Sequence, residues 1–423
     1  MKLRVLYLIL RDGNTIGAVI EDNLGNKKVI SKKDFLQYKN KFENAVVQKN
    51  GVIRGKDNSL AKMNESEIAI PNKSKKISNY TIMYQEHPVL LYNRDIDSVK
   101  IINPFYLPFS LKGKENLYGS DIMEWMTLRI DNISRTYMNK VYIARQIGRD
   151  KSNIIRDSLG LSFTDDFWIK PNDIEAKWET LKYLRDINTA LNDVAITGEI
   201  DYSKDLKKGY TSLFTTRGHF PKFVSQGFLV KRKEDALYEV IASKIGAFFN
   251  ISVSECFLKN NFVYIRLFTN NDISLVHASE LHGYFNSDEN IYNMVLKYMN
   301  RPDILNSLQR MFIFNYIIAN PDLHEDNYGL LYNSHTFEIL GLSPCFDHNV
   351  AFQKGFFGDT REHLSGGSIL PLDLITQQFI KRHLDIVECA KKFDMNLVKD
   401  SLDAVQQKEL RERLNNIILW SKD

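Results

Sequence analysis

Residues 315–352, NYIIANPDLHEDNYGLLYNSHTFEILGLSPCFDHNVAF, constrain the fold of this chain more than any other stretch. Apolar runs flank one tight polar loop that holds Asp322, His324 and Asn327. A hairpin pattern follows, and then an isolated carboxylate, Asp347. The fold therefore has to hold a polar loop between buried elements and place a second carboxylate, Asp347, one hairpin after that loop.

The spacing from Asp322 to Asn327 is typical of the catalytic loop of protein kinases. In that loop an Asp handles the substrate hydroxyl, an Asn five residues later holds magnesium, and an Asp on the next strand holds magnesium too. Phosphoryl transfer needs such a set because its chemistry is mostly positioning and charge neutralisation. The pattern predicts phosphoryl transfer through Asp322, Asn327 and Asp347, although a solvated turn would show a similar cluster of polar residues.

A phosphoryl-transfer site also predicts a buried lysine, a glutamate on the next helix and a turn that covers the phosphates. Lys231 ends the apolar run GFLVK, and Glu239 follows eight residues later in a helical pattern. A lysine at a strand end reaches phosphates as a point charge, and a glutamate holds it in place. Gly218 in RGHFPK is the candidate for the turn, which lacks the full G-x-G-x-x-G pattern. Each residue alone is more often a surface or turn residue, so their order carries the prediction.

The D-x-H-x-x-N loop, the P-x-F-D segment and the E-x-I-A-S helix after a lysine strand together resemble the HipA-like serine/threonine kinases of bacteria. The resemblance covers roughly residues 205–395, and NPDLHEDN and SPCFDHN are its most specific parts. It implies a two-lobed kinase fold, ATP and Mg²⁺ as cofactors, and a hydroxyl on a protein substrate as acceptor.

By motif position, the resemblance also implies a role for each candidate residue. Lys231 would contact the α- and β-phosphates, and Asp322 would be the catalytic base. Asn327 and Asp347 would be the magnesium ligands, and His324 would support the catalytic loop.

The resemblance further implies self-modification and leaves the partner open. Thr215 occupies the position of the serine that is autophosphorylated in HipA, although the loop around it departs from the family pattern. An antitoxin-like partner protein is a possibility that the sequence leaves undecided. No segment has a convincing helix-turn-helix pattern, so we expect no direct contact with nucleic acid.

Composition favours a cytoplasmic protein. The net charge of +4 is small for 423 residues, and basic residues are interspersed with acidic ones, which argues against a nucleic-acid surface. No run of 18 apolar residues exists, so no membrane span is expected. Three widely spaced cysteines without a CxxC motif fit a reducing compartment.

The order of patterns predicts an α+β chain with a kinase-like fold of two lobes, the first β-rich and the second α-helical, and a small β-rich N-terminal appendage. The N-terminus reads as hairpin strands, and Ser120 and Asp121 open one long helical pattern that runs to about residue 148. The predicted segments are the β-rich appendage at 1–75, a mixed, partly helical connecting domain at 76–205, the kinase N-lobe at 206–285, and the helical kinase C-lobe at 286–423.

Two other functions remain open. The segment DLHEDN also resembles the loop of aminoglycoside and choline kinases, which would make the acceptor a small molecule, although Pro344-Cys345-Phe346-Asp347 looks more HipA-like. The phosphate turn, which lacks the full glycine pattern, would also suit a degenerate kinase fold that acts as a binding module.

A calcium loop is rejected because Asn327 and Asn333 stand where an EF-hand needs Gly and Glu. His277 and His282 lack a third ligand and are predicted to be structural.

Overall fold

Sheets and helices are combined in the computed structural model, as predicted for the fold class. It describes residues 79–130, 135–148, 150–184, 189–207, 210–214, 218–352 and 372–422, and the backbone of strands at 3–11, 14–21, 27–31, 54–55, 361–364 and 368–371. Two compact units divide the chain. The first holds residues 1–100, 122–162 and 167–225, and the second holds residues 101–121, 163–166 and 226–423. The four predicted segments stay a prediction.

The first unit contains two four-stranded sheets. In the N-terminal sheet the strand order is Lys27–Ser31, Asn14–Glu21, Leu3–Arg11, Arg54–Gly55. The first three strands confirm the predicted hairpin strands, and most residues of the two predicted turns lie outside the described residues. In the second sheet the order is Ser98–Ile101, His87–Asn93, Asn79–Tyr84, Phe167–Pro171.

Helices and short strands complete the first unit. Trp168 of the second sheet lies in a buried cluster with Leu159, Leu161 and Trp178, which joins sheet and helices into one core. The helices are Gly119–Ile130 (which begins in the second unit), Met138–Arg145, Lys151–Ser158, Trp178–Leu184, Thr189–Thr197 and the 3₁₀ turn Ser212–Phe214, and a further strand is Lys222–Ser225.

The single long helix predicted from Asp121 onward is wrong. The chain instead forms Gly119–Ile130 and a separate helix, Met138–Arg145. Tyr137 has a left-handed φ of 66°, which a continuous helix does not allow. The neighbouring Arg135 is buried and donates to the carbonyl of Leu213, a contact that apolar spacing along the helix does not reveal.

Three antiparallel strands of the second unit support one helix. They lie in the order Cys256–Lys259, Phe262–Arg266, Phe228–Arg232. We call Phe228–Arg232 the lysine strand and the helix that follows it, Lys233–Phe248, the glutamate helix. Ala236 and Val240 of the glutamate helix pack on Val263 and Ile265, so the helix lies on the sheet face to which these two side chains point.

The rest of the second unit is organised around one buried helix, Pro302–Ile317. Every residue from Met311 to Ile317 is buried, as expected for a helix enclosed on all sides. A second antiparallel sheet has the order Ile273–His277, Gly329–Asn333, Ile339–Leu342. The remaining elements are Pro104–Tyr106, Phe109–Lys112, Ala278–Phe285, Ile291–Met294 with the π turn Val295–Met299, the hairpin Arg361–Leu364 and Ser368–Pro371, Leu372–Phe379, Ile380–Arg382, Leu384–Lys392, Met395–Leu397 and Ala404–Trp420.

None of the helices among the described residues is both long and apolar enough to cross a membrane.

Candidate active site

Lys231 is at the centre of a buried polar cluster in the second unit. It lies on the lysine strand opposite Val263, and its side chain is only 1% exposed. Its ammonium donates to Glu239 Oε1 at 2.8 Å, to Asp347 Oδ1 at 2.8 Å and to Asn349 Oδ1 at 2.6 Å. An ammonium has three donors. The three contacts therefore match the donors of Lys231 one to one.

Glu239 joins the glutamate helix to the segment that carries Asp347. Its Oε1 accepts from Lys231, and its Oε2 accepts from the backbone N–H of His348 at 3.0 Å. His348 is fully buried, and its Nδ1 lies 3.5 Å from the same oxygen. Both carboxylate oxygens of Glu239 are thereby held inside the protein.

The charges of this cluster stabilise one another. Burial lowers the pKa of Lys231, but the carboxylates of Asp347 and Glu239 outweigh it, so the pKa is raised above its ordinary value. Burial raises the pKa of Glu239, but Lys231 and His348 outweigh it and the pKa is lowered. The pair is therefore charged near neutral pH, as a lysine that binds phosphates requires.

Asp347 is the most exposed member of the cluster. Its side chain is 24% exposed, and its backbone is left-handed, with φ of 62°. A left-handed residue turns the chain sharply, and Asn349 two positions later donates from Nδ2 to Asp347 Oδ1 at 2.6 Å. The turn presents the carboxylate at the edge of a buried site.

The predicted catalytic loop follows the buried helix and is held by side-chain amides. Helix Pro302–Ile317 ends shortly before Ala319, which has a left-handed φ of 49°. Asn320 is buried, donates to Asn315 Oδ1 at 2.8 Å and accepts from the N–H of Asp322 at 3.2 Å. The buried amide therefore fixes the point at which Asp322 leaves the core.

Asn327 closes the loop over Asp322. Its Nδ2 donates to the carbonyl of Asp322 at 2.7 Å, and its backbone N–H donates to the carbonyl of His324 at 2.8 Å. Because the amide nitrogen is bonded to the loop itself, the amide oxygen is the atom that suits a hard cation.

The carboxylate of Asp322 faces the surface. Its side chain is 53% exposed, and Oδ1 lies 3.8 Å from Nε2 of His324. His324 Nδ1 accepts from the backbone N–H of Asp326 at 3.3 Å. An exposed carboxylate on a held loop can accept a proton from a hydroxyl that approaches from solvent.

The helix Ala278–Phe285 bonds the same loop from its other side. Ser279 Oγ donates to Asp326 Oδ1 at 2.6 Å, and His282 Nε2 lies 2.8 Å from Glu325 Oε2. His277 Nδ1 lies 2.9 Å from the carbonyl of Asp326. Both histidines thus have protein partners in the loop, in agreement with a structural role.

The loop and the Asp347 segment are joined through the end of the buried helix. The backbone N–H of Phe352 donates to the carbonyl of Ile318 at 3.2 Å. The ring of His348 packs edge-on against Phe314, with 5.5 Å between the ring centroids. One helix end therefore fixes both halves of the candidate site.

The structure brings Lys231 into direct contact with both Glu239 and Asp347, and it puts Asp322, His324 and Asn327 in one loop. Gly218 belongs to the first unit, where it has a φ of 95° that favours glycine. Its role at the phosphates stays a prediction, and Thr215 lies outside the described residues.

Asn349 and His348 are site residues that sequence reasoning missed. Both follow Asp347 directly in the motif SPCFDHN, where two polar residues interrupt an apolar run. That interruption was the available signal, but only the fold shows that Asn349 bonds Lys231, 118 positions away in the chain.

The donors present fit a magnesium site that is completed by a ligand. Asn327 and Asp347 offer an amide oxygen and a carboxylate, and Mg²⁺ is commonly bound by one or two carboxylates together with waters and substrate phosphates. Among the described residues, no three His, Cys, Asp or Glu side chains form a self-contained metal site. A cation here would depend on a nucleotide for further ligands.

No protein-family model and no curated protein matches the chain. Among solved structures, the Helicobacter pylori proinflammatory kinase CtkA is 17% identical, covers 48% of this chain and 92% of its own, and has a TM-score of 0.35. HipA of Shewanella oneidensis MR-1, solved with HipB and operator DNA, is 12% identical, covers 81% of this chain and 96% of its own, and has a TM-score of 0.48. TM-scores this low assign no function to the chain.

Proposed function

We propose that the chain is an ATP- and Mg²⁺-dependent kinase that transfers the γ-phosphate to a serine or threonine hydroxyl on a protein. The observation that carries this proposal is the buried contact of Lys231 with both Glu239 and Asp347. A lysine that pairs with a helix glutamate, next to an aspartate that can bind the metal, is the set of groups that phosphoryl transfer from ATP requires. The proposal includes the two-lobed arrangement and a cytoplasmic location predicted from the sequence.

Each residue has a chemical task in this proposal. Bound Mg²⁺ would neutralise charge on the phosphates, with Asn327 and Asp347 as its protein ligands. Lys231 would hold the α- and β-phosphates, and Glu239 would keep the ammonium in place. Asp322 would orient the acceptor hydroxyl and take its proton.

Binding of a phosphate to Lys231 requires an exchange of contacts. The three acceptors of Lys231 match its three donors, so a phosphate oxygen has to replace one of them. Asp347 is the most exposed of these acceptors and is also the proposed metal ligand. We therefore expect Asp347 to leave Lys231 for the cation when nucleotide binds.

The proposal is tested with purified protein, γ-labelled ATP and Mg²⁺, followed by mapping of the phosphorylated residue. Wild type should become labelled or label a protein acceptor, and Asp322→Ala should lower transfer at least about 100-fold because the hydroxyl loses its base. Asp347→Ala should do the same through the loss of a metal ligand. Asp400→Ala is the matched control, since Asp400 is an exposed aspartate of the same unit.

The outcomes separate the alternative functions. Full transfer by Asp347→Ala would reject that residue as a metal ligand. Nucleotide binding without any protein label would favour a small-molecule acceptor. Absence of Mg²⁺-dependent nucleotide binding in calorimetry would favour a binding module. Label on Thr215 would establish self-modification, and an antitoxin-like partner stays a prediction from the sequence resemblance.

A further inference from the structure

Gln406 lies in the first turn of the C-terminal helix, Ala404–Trp420. Both polar atoms of its side chain form hydrogen bonds. It is 6% exposed. Its Oε1 accepts from the backbone N–H of Asp403 at 3.0 Å, which completes the capping box of the helix. Its Nε2 donates to the hydroxyl of Tyr238 at 2.8 Å and to the carbonyl of Phe352 at 2.5 Å. One buried amide thus joins three separate segments.

The two acceptors of this amide lie in the two segments that hold Lys231. Tyr238 is the residue before Glu239 in the glutamate helix, and Phe352 ends the segment that carries Asp347. The rings of Tyr238 and Phe352 are in contact, with 5.9 Å between the centroids. The two hydrogens of an NH₂ group point in fixed directions. Gln406 therefore bonds the glutamate helix and the Asp347 segment at the same time.

We propose that Gln406 is a positioning residue, which holds the glutamate helix and the Asp347 segment at the separation that Lys231 needs to contact Glu239 and Asp347 together. This inference rests on the proposed function and extends it, because it makes the C-terminal helix part of the apparatus for phosphoryl transfer. Phe352 is fully buried and left-handed, with φ of 58°, so its carbonyl has a defined direction for this contact.

Gln407 provides a matched control. It is the next residue of the same helix, and its Nε2 donates to the carbonyls of Lys399 and Leu402 at 3.0 and 2.8 Å. Both acceptors lie just before the helix, outside the two segments of the site. Gln407→Ala therefore removes a glutamine of the same helix without releasing either segment.

Steady-state transfer kinetics test the proposal. Gln406→Ala removes both hydrogen bonds from the amide to the two segments and should lower kcat about tenfold, with a smaller change in KM for ATP. Tyr238→Phe removes only the hydroxyl and should lower kcat in the same direction by less. The double variant should lose less than the product of the two single losses, because both changes break the same contact. Gln407→Ala should retain wild-type kcat.

Amide hydrogen exchange gives a readout that does not depend on activity. Gln406→Ala should speed exchange in residues 233–248 and 345–352 together, whereas Gln407→Ala should leave both segments unchanged. A Gln406→Ala protein that matches Gln407→Ala in kcat and in exchange overturns the positioning role. An inactive wild type overturns the proposed kinase function instead, and exchange then still decides whether Gln406 joins the two segments. If Gln406→Ala fails to fold, Tyr238→Phe decides both readouts.

Discussion

At the scale of single residues, Lys231 and Glu239 form an ion pair that is buried inside the protein. Both side chains are about 1% exposed, and each has lost its water. Such a pair is costly to bury and stabilises only when every donor and acceptor is matched. Here Glu239 Oε1 faces the ammonium and Oε2 faces the N–H of His348, so both of its oxygens face donors.

We therefore predict that Glu239→Gln destabilises the protein although it keeps the shape of the side chain. In either orientation of the amide, its NH₂ group has to face a donor, Lys231 or the backbone of His348. The cost should be about 3 kcal/mol, from a buried ammonium that loses its carboxylate and a buried donor that loses its acceptor. Urea unfolding followed by circular dichroism measures it.

Glu255→Gln is the surface control for this prediction. Glu255 is 75% exposed and pairs with Arg266 at 2.8 Å. Exposed ion pairs contribute between zero and about 1 kcal/mol, so this variant should unfold close to wild type. If both variants lose the same free energy of unfolding, the buried pair contributes no more to stability than an exposed one.

At the scale of elements, the loop from Asn320 to Asn327 is bonded by one helix end behind it and by helix Ala278–Phe285 beside it. The carboxylates of Glu325 and Asp326 point to this second helix. Asp326 accepts a hydrogen bond from Ser279, and Glu325 contacts His282. The carboxylate that remains exposed is Asp322. The loop thus separates structural carboxylates from the one proposed to react.

This arrangement predicts a pH-dependent contribution to stability. The hydrogen bond that His282 donates to Glu325 raises the pKa of His282, burial opposes it, and the carbonyl of Ser287 and the nearby Asp288 add to the rise. A raised folded-state pKa means that the stabilisation is present below the unfolded pKa and is lost as pH rises through the folded one.

The free energy of unfolding of wild type should exceed that of His282→Gln at low pH by up to about 1 kcal/mol, a value discounted for partial exposure. The difference should shrink as pH rises through the pKa of His282. His335→Gln, which removes a histidine from an exposed surface pair with Asp272, should change the free energy of unfolding far less, because exposed ion pairs contribute little. A constant difference between wild type and His282→Gln at all pH values would refute the charged contact.

Elements and their order could be predicted better than the contacts between them. The pattern around Lys231, Glu239 and Asp347 was visible because each residue interrupts a periodic apolar run at a spacing that phosphoryl transfer requires. The partners of Gln406 and Asn349 could not be predicted, since they lie far away in the chain and are brought close by packing. The break at Tyr137 was missed because apolar spacing continues across a left-handed residue.

At the scale of the whole molecule, the second unit is not continuous in sequence. It includes residues 101–121, which are separated from residue 226 onward by residues 122–162 and 167–225 of the first unit. Phe109 of this early segment contacts Tyr332 and Tyr284, with ring centroids 5.0 and 5.2 Å apart. Lys112 Nζ lies 4.0 Å from the ring centre of Phe337. The early segment therefore covers aromatic surface of the unit that holds the candidate site.

The backbones of the early segment and of helix Ala278–Phe285 lie in close contact at Gly113 and Gly283. A Cβ placed on Gly113 would lie 2.1 Å from the carbonyl oxygen of Gly283, so the two segments approach each other without room for a side chain. Such contact is specific to this pair of segments. A side chain at either glycine would push the early segment away from helix Ala278–Phe285.

We therefore predict that a fragment of residues 226–423 does not fold cooperatively, although it contains Lys231, Glu239, Asp322 and Asp347. Without residues 101–121, the rings of Tyr284 and Tyr332 lose their contact with Phe109. Removal of a buried phenylalanine side chain lowers the free energy of unfolding by several kcal/mol. The fragment should bind a hydrophobic dye and unfold without a sharp transition, while the full chain unfolds cooperatively. In the full chain, Phe109→Ala should lower stability by about 3–5 kcal/mol, whereas Phe257→Ala, at an exposed phenylalanine, should lower it far less. A fragment with a sharp transition and nucleotide binding equal to the full chain would show that residues 226–423 form the site alone.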